Sequence, residues 1–415
     1  MVDRVAVAFI GLGWWSSMLA DAAAKSKRIK IAACHSHSAV KMQAFASRYG
    51  GMLKKTYEDV LVDSGIDAVV LTTPNSFHAG QAILAAENRK HVFVEKPMAL
   101  SVVDCQRMIA AARHRNVILA VGQNARRMAR YRKVQELIED GAIGQIALAE
   151  ANSSDDLGMR LAPQAWRRSS KESPGGPLTS FTVHHADNFN YLVGPIRKVS
   201  AFMSKVWGKN ETEDVISAAI EFENGALGYL GGSFVTPERN FLQIHGLEGV
   251  VFVDEEGGAY YRKKGTTKLV RVFLSDPDTQ RGDSLAEEMD EFASCIQTSH
   301  KPEVAGEEGL AAVAVIEAII RSAELRLPVE IKTLMEHSTV QEMKEELRRW
   351  HPDSRHFFTT QCMLKELGYC RRSAISSMRT PLKRRPCAVR RWTWTRSSSS
   401  GVVTLPGKSL SHLQS

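Results

Sequence analysis

Two groups of residues in this chain have the types and spacing to do chemistry. The first is "HVFVEKP", residues 91–97, where an apolar, strand-like run ends in Glu95, Lys96 and Pro97. Ligands of α/β sheets bind outside the carboxyl ends of the strands, and Lys96 stands at such an end, aimed at a bound molecule. The plainer alternative is a surface lysine that flanks a strand. The second group is Gly11-Leu12-Gly13, which follows the apolar run 5–10 and opens a helical stretch. Gly11 permits a tight turn, Gly13 lets the backbone approach a pyrophosphate, and Ser16 is small enough for close helix–strand packing. With Trp14, the next residue, these glycines form a cofactor-binding turn of the dinucleotide type.

The tip of the second strand bears on which dinucleotide. NAD-binding folds usually carry an acid there for the ribose 2′-hydroxyl. Here the sequence is Cys34-His35-Ser36-His37-Ser38, with Lys41 in the next turn and no carboxylate. Ser36, His37 and Lys41 can offer hydrogen bonds or positive charge to a 2′-phosphate. The tip therefore favours NADP, with NAD kept open.

The elements that must position these groups alternate. Strand-like runs at 5–10, 29–34, 66–74, 91–94 and 117–121 are separated by helical stretches, which implies a doubly wound parallel sheet. Thr56 with Asp59 and Ser101 with Asp104 mark two helix starts as capping boxes. Residues 199–253 alternate in the strand manner, with "ENG" as a turn, and two helices follow at 284–297 and 307–325. Ser284 with Glu287 reads as the start of the first. Three parts are expected: a Rossmann domain over 1–123, an α/β domain with an open mixed, mostly antiparallel sheet over 124–331, and a tail over 332–415.

Composition excludes several classes. Of 415 residues, 44% are apolar and 24% charged, as in a globular protein. No apolar run reaches 18 residues, and no signal segment precedes the first strand, so neither a membrane span nor export is expected. The six cysteines lack metal-like or disulfide spacing, which suits a reducing, cytoplasmic compartment and no metal. The net charge of +8 belongs to the tail, where residues 333–415 hold 15 Lys/Arg against 6 Asp/Glu. A nearly neutral body makes nucleic acid an unfavoured partner, and the basic, Ser-rich tail is expected to be disordered beyond a helix at 339–350.

The glycine turn, "TTPNSFH" (72–78) and "VEKP" (94–97) together resemble the Gfo/Idh/MocA oxidoreductases, named for glucose–fructose oxidoreductase and inositol dehydrogenase. "RYRKVQELIEDGAIGQI" (130–146), "AWR" (165–167) and "GGPLTSFTVHHAD" (175–187) extend the resemblance, which runs from about Val5 to Ile331. It implies nicotinamide chemistry in a cleft between two domains, on a sugar-like or polyol alcohol or ketone, in a homodimer or homotetramer. Thr73, Pro74, Asn75, Glu95 and Gln123 would line the cofactor, with Asn124 beside them. His78 would either pack on its helix or touch ligand. Trp166 and Arg167 would reach the cofactor from the second domain. Lys96 would lie beside the nicotinamide, bond the substrate oxygen and pass its proton, given a lowered pKa.

One departure stands out. The family often places an Asp four residues before a catalytic His, on one helix face. Here His184 is kept and Ser180 takes the Asp position. Either Lys96 and His184 suffice, or Asp187 or another acid substitutes, or the chain is a non-catalytic dinucleotide-binding regulator of the same fold. Arg126, Ser180 and Asp187 are candidate substrate contacts. Arg127, His185, Asp155 and Asp156 are equally well read as helix or loop charges outside the site.

Overall fold

The computed structural model describes residues 4–336; the expected tail beyond, with its helix at 339–350, lies outside the described residues. The first half opens with β1 (Val5–Ile10), α1 (Trp14–Lys25), β2 (Ile29–His35), α2 (Ala39–Tyr49), β3 (Met52–Leu53) and α3 (Tyr57–Leu61). It continues through β4 (Ala68–Leu71), α4 (Asn75–Glu87), β5 (His91–Glu95), α5 (Val102–Arg115) and β6 (Leu119–Gly122). These strands form one sheet in the order β3-β2-β1-β4-β5-β6, with every pair parallel. Since β1 pairs with β2 on one side and β4 on the other, the winding reverses there, and a crevice opens at the carboxyl ends.

Period-two alternation explains why β1 is buried along its whole length. Val5, Val7 and Phe9 join an apolar cluster with Leu19 and Ala23 of α1, whereas Ala6, Ala8 and Ile10 join a second cluster on the opposite face. Thr56 and Asp59 close a reciprocal capping box at α3. At α5 the Ser101 hydroxyl accepts the Asp104 amide.

The second half contains α6 (Ala129–Glu139), β7 (Ile146–Ser154), α7 (Leu157–Arg160) and α8 (Val183–Leu192). A run of strands follows: β8 (Ile196–Ser204), β9 (Val215–Phe222), β10 (Leu227–Ser233), β11 (Arg239–Gly246), β12 (Gly249–Val253), β13 (Gly258–Lys263) and β14 (Val270–Leu274). The described chain closes with α9 (Pro277–Thr298), α10 (Gly306–Leu325), β15 (Val329–Glu330) and α11 (Ile331–Glu336). The nine strands order as β14-β13-β12-β11-β7-β10-β9-β8-β15. β7 and β10 run parallel, and every other neighbouring pair is antiparallel. The "ENG" turn joins β9 to β10, with Gly225 at φ +85° and the Asn224 side chain accepting the Ala226 amide.

The helix expected to start at Ser284 starts seven residues earlier. Asp276 caps it through the Thr279 amide at 2.8 Å, and Pro277 occupies the first turn, where its missing N–H costs nothing. Ser284 is then interior and fully buried, accepting from the Asn124 amide at 2.9 Å. Further along the same helix, Phe292 meets Phe93 of β5 edge to face at 5.7 Å. Phe292→Ala is expected to lower the unfolding free energy by about 3–5 kcal/mol, measured as a fall in the urea midpoint at unchanged slope.

Candidate functional site

Gly11 has φ +87°, and a Cβ there would lie 2.8 Å from both the amide nitrogen and the methyl of Thr73. Both the backbone conformation and the close approach of the β4 edge therefore require glycine. Gly13 differs: it precedes α1 with no side-chain cap, and a Cβ there would meet nothing within 4 Å. The first-turn amides of α1 thus open onto free space, as an anion needs. Trp14 is 70% exposed beside them, whereas Ser16 is fully buried under the helix. Trp15 turns inward, and its ring N–H donates to the Glu95 carboxyl.

At the tip of β2 the His35 ring is held by the Lys54 carbonyl at 3.0 Å. Ser36, His37 and Lys41 follow at the start of α2, with His37 and Lys41 exposed. Ser38 caps that helix through the Lys41 amide. No carboxylate occurs from residue 35 to 41.

Lys96 emerges half-buried at the end of β5. Its ammonium donates to the backbone carbonyl of Ser180 at 2.7 Å, and its own amide donates to the Glu95 carboxyl at 3.1 Å. Glu95 is buried, and a Cβ at Gly122 on the neighbouring strand would come within 2.7 Å of its Oε1, so glycine there makes room for the acid. Burial pulls the Lys96 amine below the ordinary lysine range; the Glu95 charge opposes this and the Arg167 charge reinforces it. Burial pushes the Glu95 carboxyl up, against the Trp15 ring N–H and the neighbouring lysine. His78 ties the two loops together: its buried ring nitrogens lie 2.9 Å from the carbonyl oxygens of Pro97 and Thr73.

The element facing Lys96 is not the uninterrupted α-helix that a four-residue spacing assumes. Leu178–Thr182 forms a π-turn before α8, so Ser180 and His184 flank a change of helical pitch. Ser180 offers Lys96 its backbone carbonyl, while its hydroxyl lies 3.4 Å from that of Ser173. Burial, followed by the charge of Lys96, holds His184 well below the usual histidine range, which leaves it neutral at neutral pH. Its Nδ1 is buried without a protein partner. His185 points elsewhere, to the Asn240 side chain at 2.9 Å.

Other residues singled out from the sequence are placed as follows. Thr73 donates to Gln81 at 2.7 Å, Pro74 precedes the first turn of α4, and the Asn75 amide donates to the Glu172 carbonyl at 2.7 Å. The Arg167 guanidinium stacks 4.2 Å from the centre of the Trp166 ring. Gln123 is buried with its Oε1 unpartnered. Arg126 and Asp187 form a two-point ion pair with each other, both shielded from solvent. The sequence makes each a candidate substrate contact; here the two charges meet each other. Arg127 is buried against Glu287, Glu291 and Glu303, and Asp155 and Asp156 pair with Arg160. Glu172, which the sequence reading passed over, caps α4 through Ser76. It lies in an irregular loop with no motif around it.

A glycine turn open to an anion after β1, with β4 between it and the half-buried amine at the end of β5, places the protein among the nicotinamide-dependent oxidoreductases. The chain belongs to the Gfo/Idh/MocA family. Residues 5–123 match the oxidoreductase family with an NAD-binding Rossmann fold, and residues 131–252 match the GFO/IDH/MocA C-terminal domain. It is 29% identical to the 1,5-anhydro-D-fructose reductase of Ensifer adhaerens, over 73% of this chain and 92% of that one. It is 27% identical to the myo-inositol 2-dehydrogenase of Thermotoga maritima, over 68% of this chain and 86% of that one. Among solved structures, an oxidoreductase of Desulfitobacterium hafniense, provisionally described as NADPH-dependent, is 30% identical with a TM-score of 0.75, covering 81% of this chain and all of that one. The protein is thus an NAD(P)-dependent oxidoreductase.

The two glycines fail differently when filled. Gly13→Val is expected to leave the thermal midpoint within a few degrees of wild type while weakening nicotinamide cofactor binding at least about tenfold, a loss of about 1.4 kcal/mol. Gly11→Val is expected to lower the midpoint as well, since both its φ and its contact with Thr73 forbid a side chain. Calorimetry and fluorescence titration of both variants check this.

Proposed function

We propose that the protein oxidises a secondary hydroxyl of a sugar-like or polyol substrate, or reduces the corresponding ketone, with NADP(H) preferred to NAD(H). The observation that carries the reading is Lys96. It is an amine at the carboxyl edge of the sheet, lowered by burial, with His184 within reach of its charge. The names of the reductase and the dehydrogenase among the relatives support the substrate class. The acid-free β2 tip with Ser36, His37 and Lys41 supports the 2′-phosphate. In this reading residues 1–123 hold the cofactor and residues 124–331 the substrate. Gly11, Gly13 and Trp14 border the pyrophosphate, and Thr73, Pro74, Asn75, Glu95, Gln123, Trp166 and Arg167 the nicotinamide end.

The bound nicotinamide supplies the acceptor or donor of hydride. The chain supplies the proton chemistry. In oxidation, neutral Lys96 takes the hydroxyl proton as the carbon gives up hydride; in reduction, the ammonium returns it to the forming alkoxide. His184, neutral in its buried setting, serves as a hydrogen-bond partner for the same oxygen rather than as a second cation. We further propose a homo-oligomer, because the large sheet exposes Phe202 and Leu227. A cytoplasmic location is proposed on the three buried, unpaired cysteines Cys34, Cys105 and Cys295 among the described residues.

Lys96→Met is expected to lower kcat for sugar or polyol oxidation by about 10²–10⁴ while cofactor binding persists; a variant with wild-type turnover would remove Lys96 from the mechanism. The pH profile has a definite sign. Oxidation needs the neutral amine, so its kcat/KM rises with pH to a plateau reached below the ordinary lysine value of about 10.4. Reduction needs the ammonium and falls over the same interval. Cofactor choice is tested by titration with NADPH and NADH. Ser36→Asp is expected to weaken NADPH binding by about tenfold, or about 1.4 kcal/mol, and to spare NADH.

A further inference from the structure

We propose that Glu172 and Ser173 form a wedge between the two halves that positions Lys96, an inference resting on the reading of Lys96 as the proton carrier. The segment between α7 and α8 carries Trp166 and Arg167 and then crosses to the first half. There the Glu172 carboxylate accepts the Ser76 amide at 3.0 Å and the Ser76 hydroxyl at 2.7 Å, and the Glu172 carbonyl accepts the Asn75 side chain at 2.7 Å. An acid at this place satisfies free first-turn donors of α4 and complements the helix dipole. The next residue faces the other way. Ser173 is fully buried, and its hydroxyl lies 3.4 Å from both the Gly176 carbonyl and the Ser180 hydroxyl.

Ser180 is the residue whose carbonyl receives the Lys96 ammonium. Two consecutive residues therefore connect the first turn of α4 to the acceptor that aims the lysine. The turn beyond them has little freedom to shift. Gly176 has φ +52°, and a Cβ there would come within 2.3 Å of the Glu213 carbonyl. With the Glu172 carboxylate removed, only the Asn75 side chain on the Glu172 backbone carbonyl still ties this segment to α4, its register against the π-turn loosens, and the carbonyl that orients Lys96 moves with it. The wedge acts through Lys96 and touches no reacting atom, so Glu172 is a positioning residue.

The test uses the full chain with its cofactor and a substrate found by a sugar and polyol screen. Glu172→Ala is expected to lower kcat about 10- to 100-fold, with KM for the alcohol changed less than about threefold, and to speed NADPH release in stopped-flow fluorescence. Glu172→Gln, whose amide oxygen still accepts from Ser76, is expected to recover most of the loss. Ser76→Ala is expected to add nothing to Glu172→Ala. A wild-type kcat in Glu172→Ala, or effects of the two substitutions that add, would overturn the wedge. A second readout is independent of turnover: the rate at which an amine reagent labels Lys96, followed by mass spectrometry, is expected to rise in Glu172→Ala. An unchanged rate counts against the wedge. If Lys96→Met keeps full turnover while the labelling rate still rises, the role of Lys96 fails and the wedge stands.

Discussion

A lysine amine taken out of water needs a partner for its protons, and the partner of Lys96 is a single backbone carbonyl. That bond, from Nζ to Ser180, joins the carboxyl edge of the parallel sheet to the entrance of α8 in the other half. In the proposed mechanism burial without a full counter-charge makes the amine a usable base, and the same burial would be ruinous without an acceptor in reach. Much of the surrounding structure serves this compromise. β5 delivers the lysine, His78 ties the Pro97 carbonyl to the Thr73 carbonyl of the neighbouring loop, and the π-turn delivers the acceptor.

The same compromise links the amine to the cofactor turn. Trp15, in the first turn of α1, donates to Glu95, and Glu95 in turn accepts the backbone amide of Lys96. One indole and one carboxyl thus link the glycine turn to Lys96 by hydrogen bonds. Gly122 permits the arrangement by leaving out a side chain where the carboxyl must lie. Trp15 and the Lys96 amide favour the Glu95 anion against the burial that raises its pKa, and its charge limits how far the Lys96 amine falls. The acid, the lysine and the strand that ends in them form one electrostatic unit.

Local patterns made the sheet and the glycine turn legible in the sequence. A run such as residues 5–10 has no polar position, so it can only lie between two layers, and a capping box such as Thr56–Asp59 is decided within four residues. What was not legible depended on distant partners. Ser284 looked like a helix start, yet the Asp276-Pro277 pair upstream is the stronger signal, and Ser284 is instead held by Asn124 from the other half. Arg126 and Asp187 looked like two free charges, and only the packing of α8 against the turn after β6 makes them one buried pair. Residues 180 and 184 have ordinary helical spacing in sequence, and the π-turn between them is visible only in three dimensions. Glu172 has no motif at all. Its importance comes from the end of α4 that happens to face it.

The serine at residue 180 can be judged on these terms. A carboxylate there would stand beside Lys96 and favour its ammonium form, raising the pH at which the neutral amine is available. It would also favour a charged imidazole at His184. With serine, the acceptor for Lys96 is a neutral carbonyl, the charges bearing on the amine are Glu95 on one side and Arg167 on the other, and His184 stays uncharged. In the proposed mechanism, serine at this position leaves Lys96 as the base. It transfers the task of orienting the lysine from a side-chain charge to a backbone dipole, which needs a more rigid support because a carbonyl cannot swing to follow its partner. In the proposal, the π-turn, the close-packed Gly176 and the Glu172 cap on α4 supply such support.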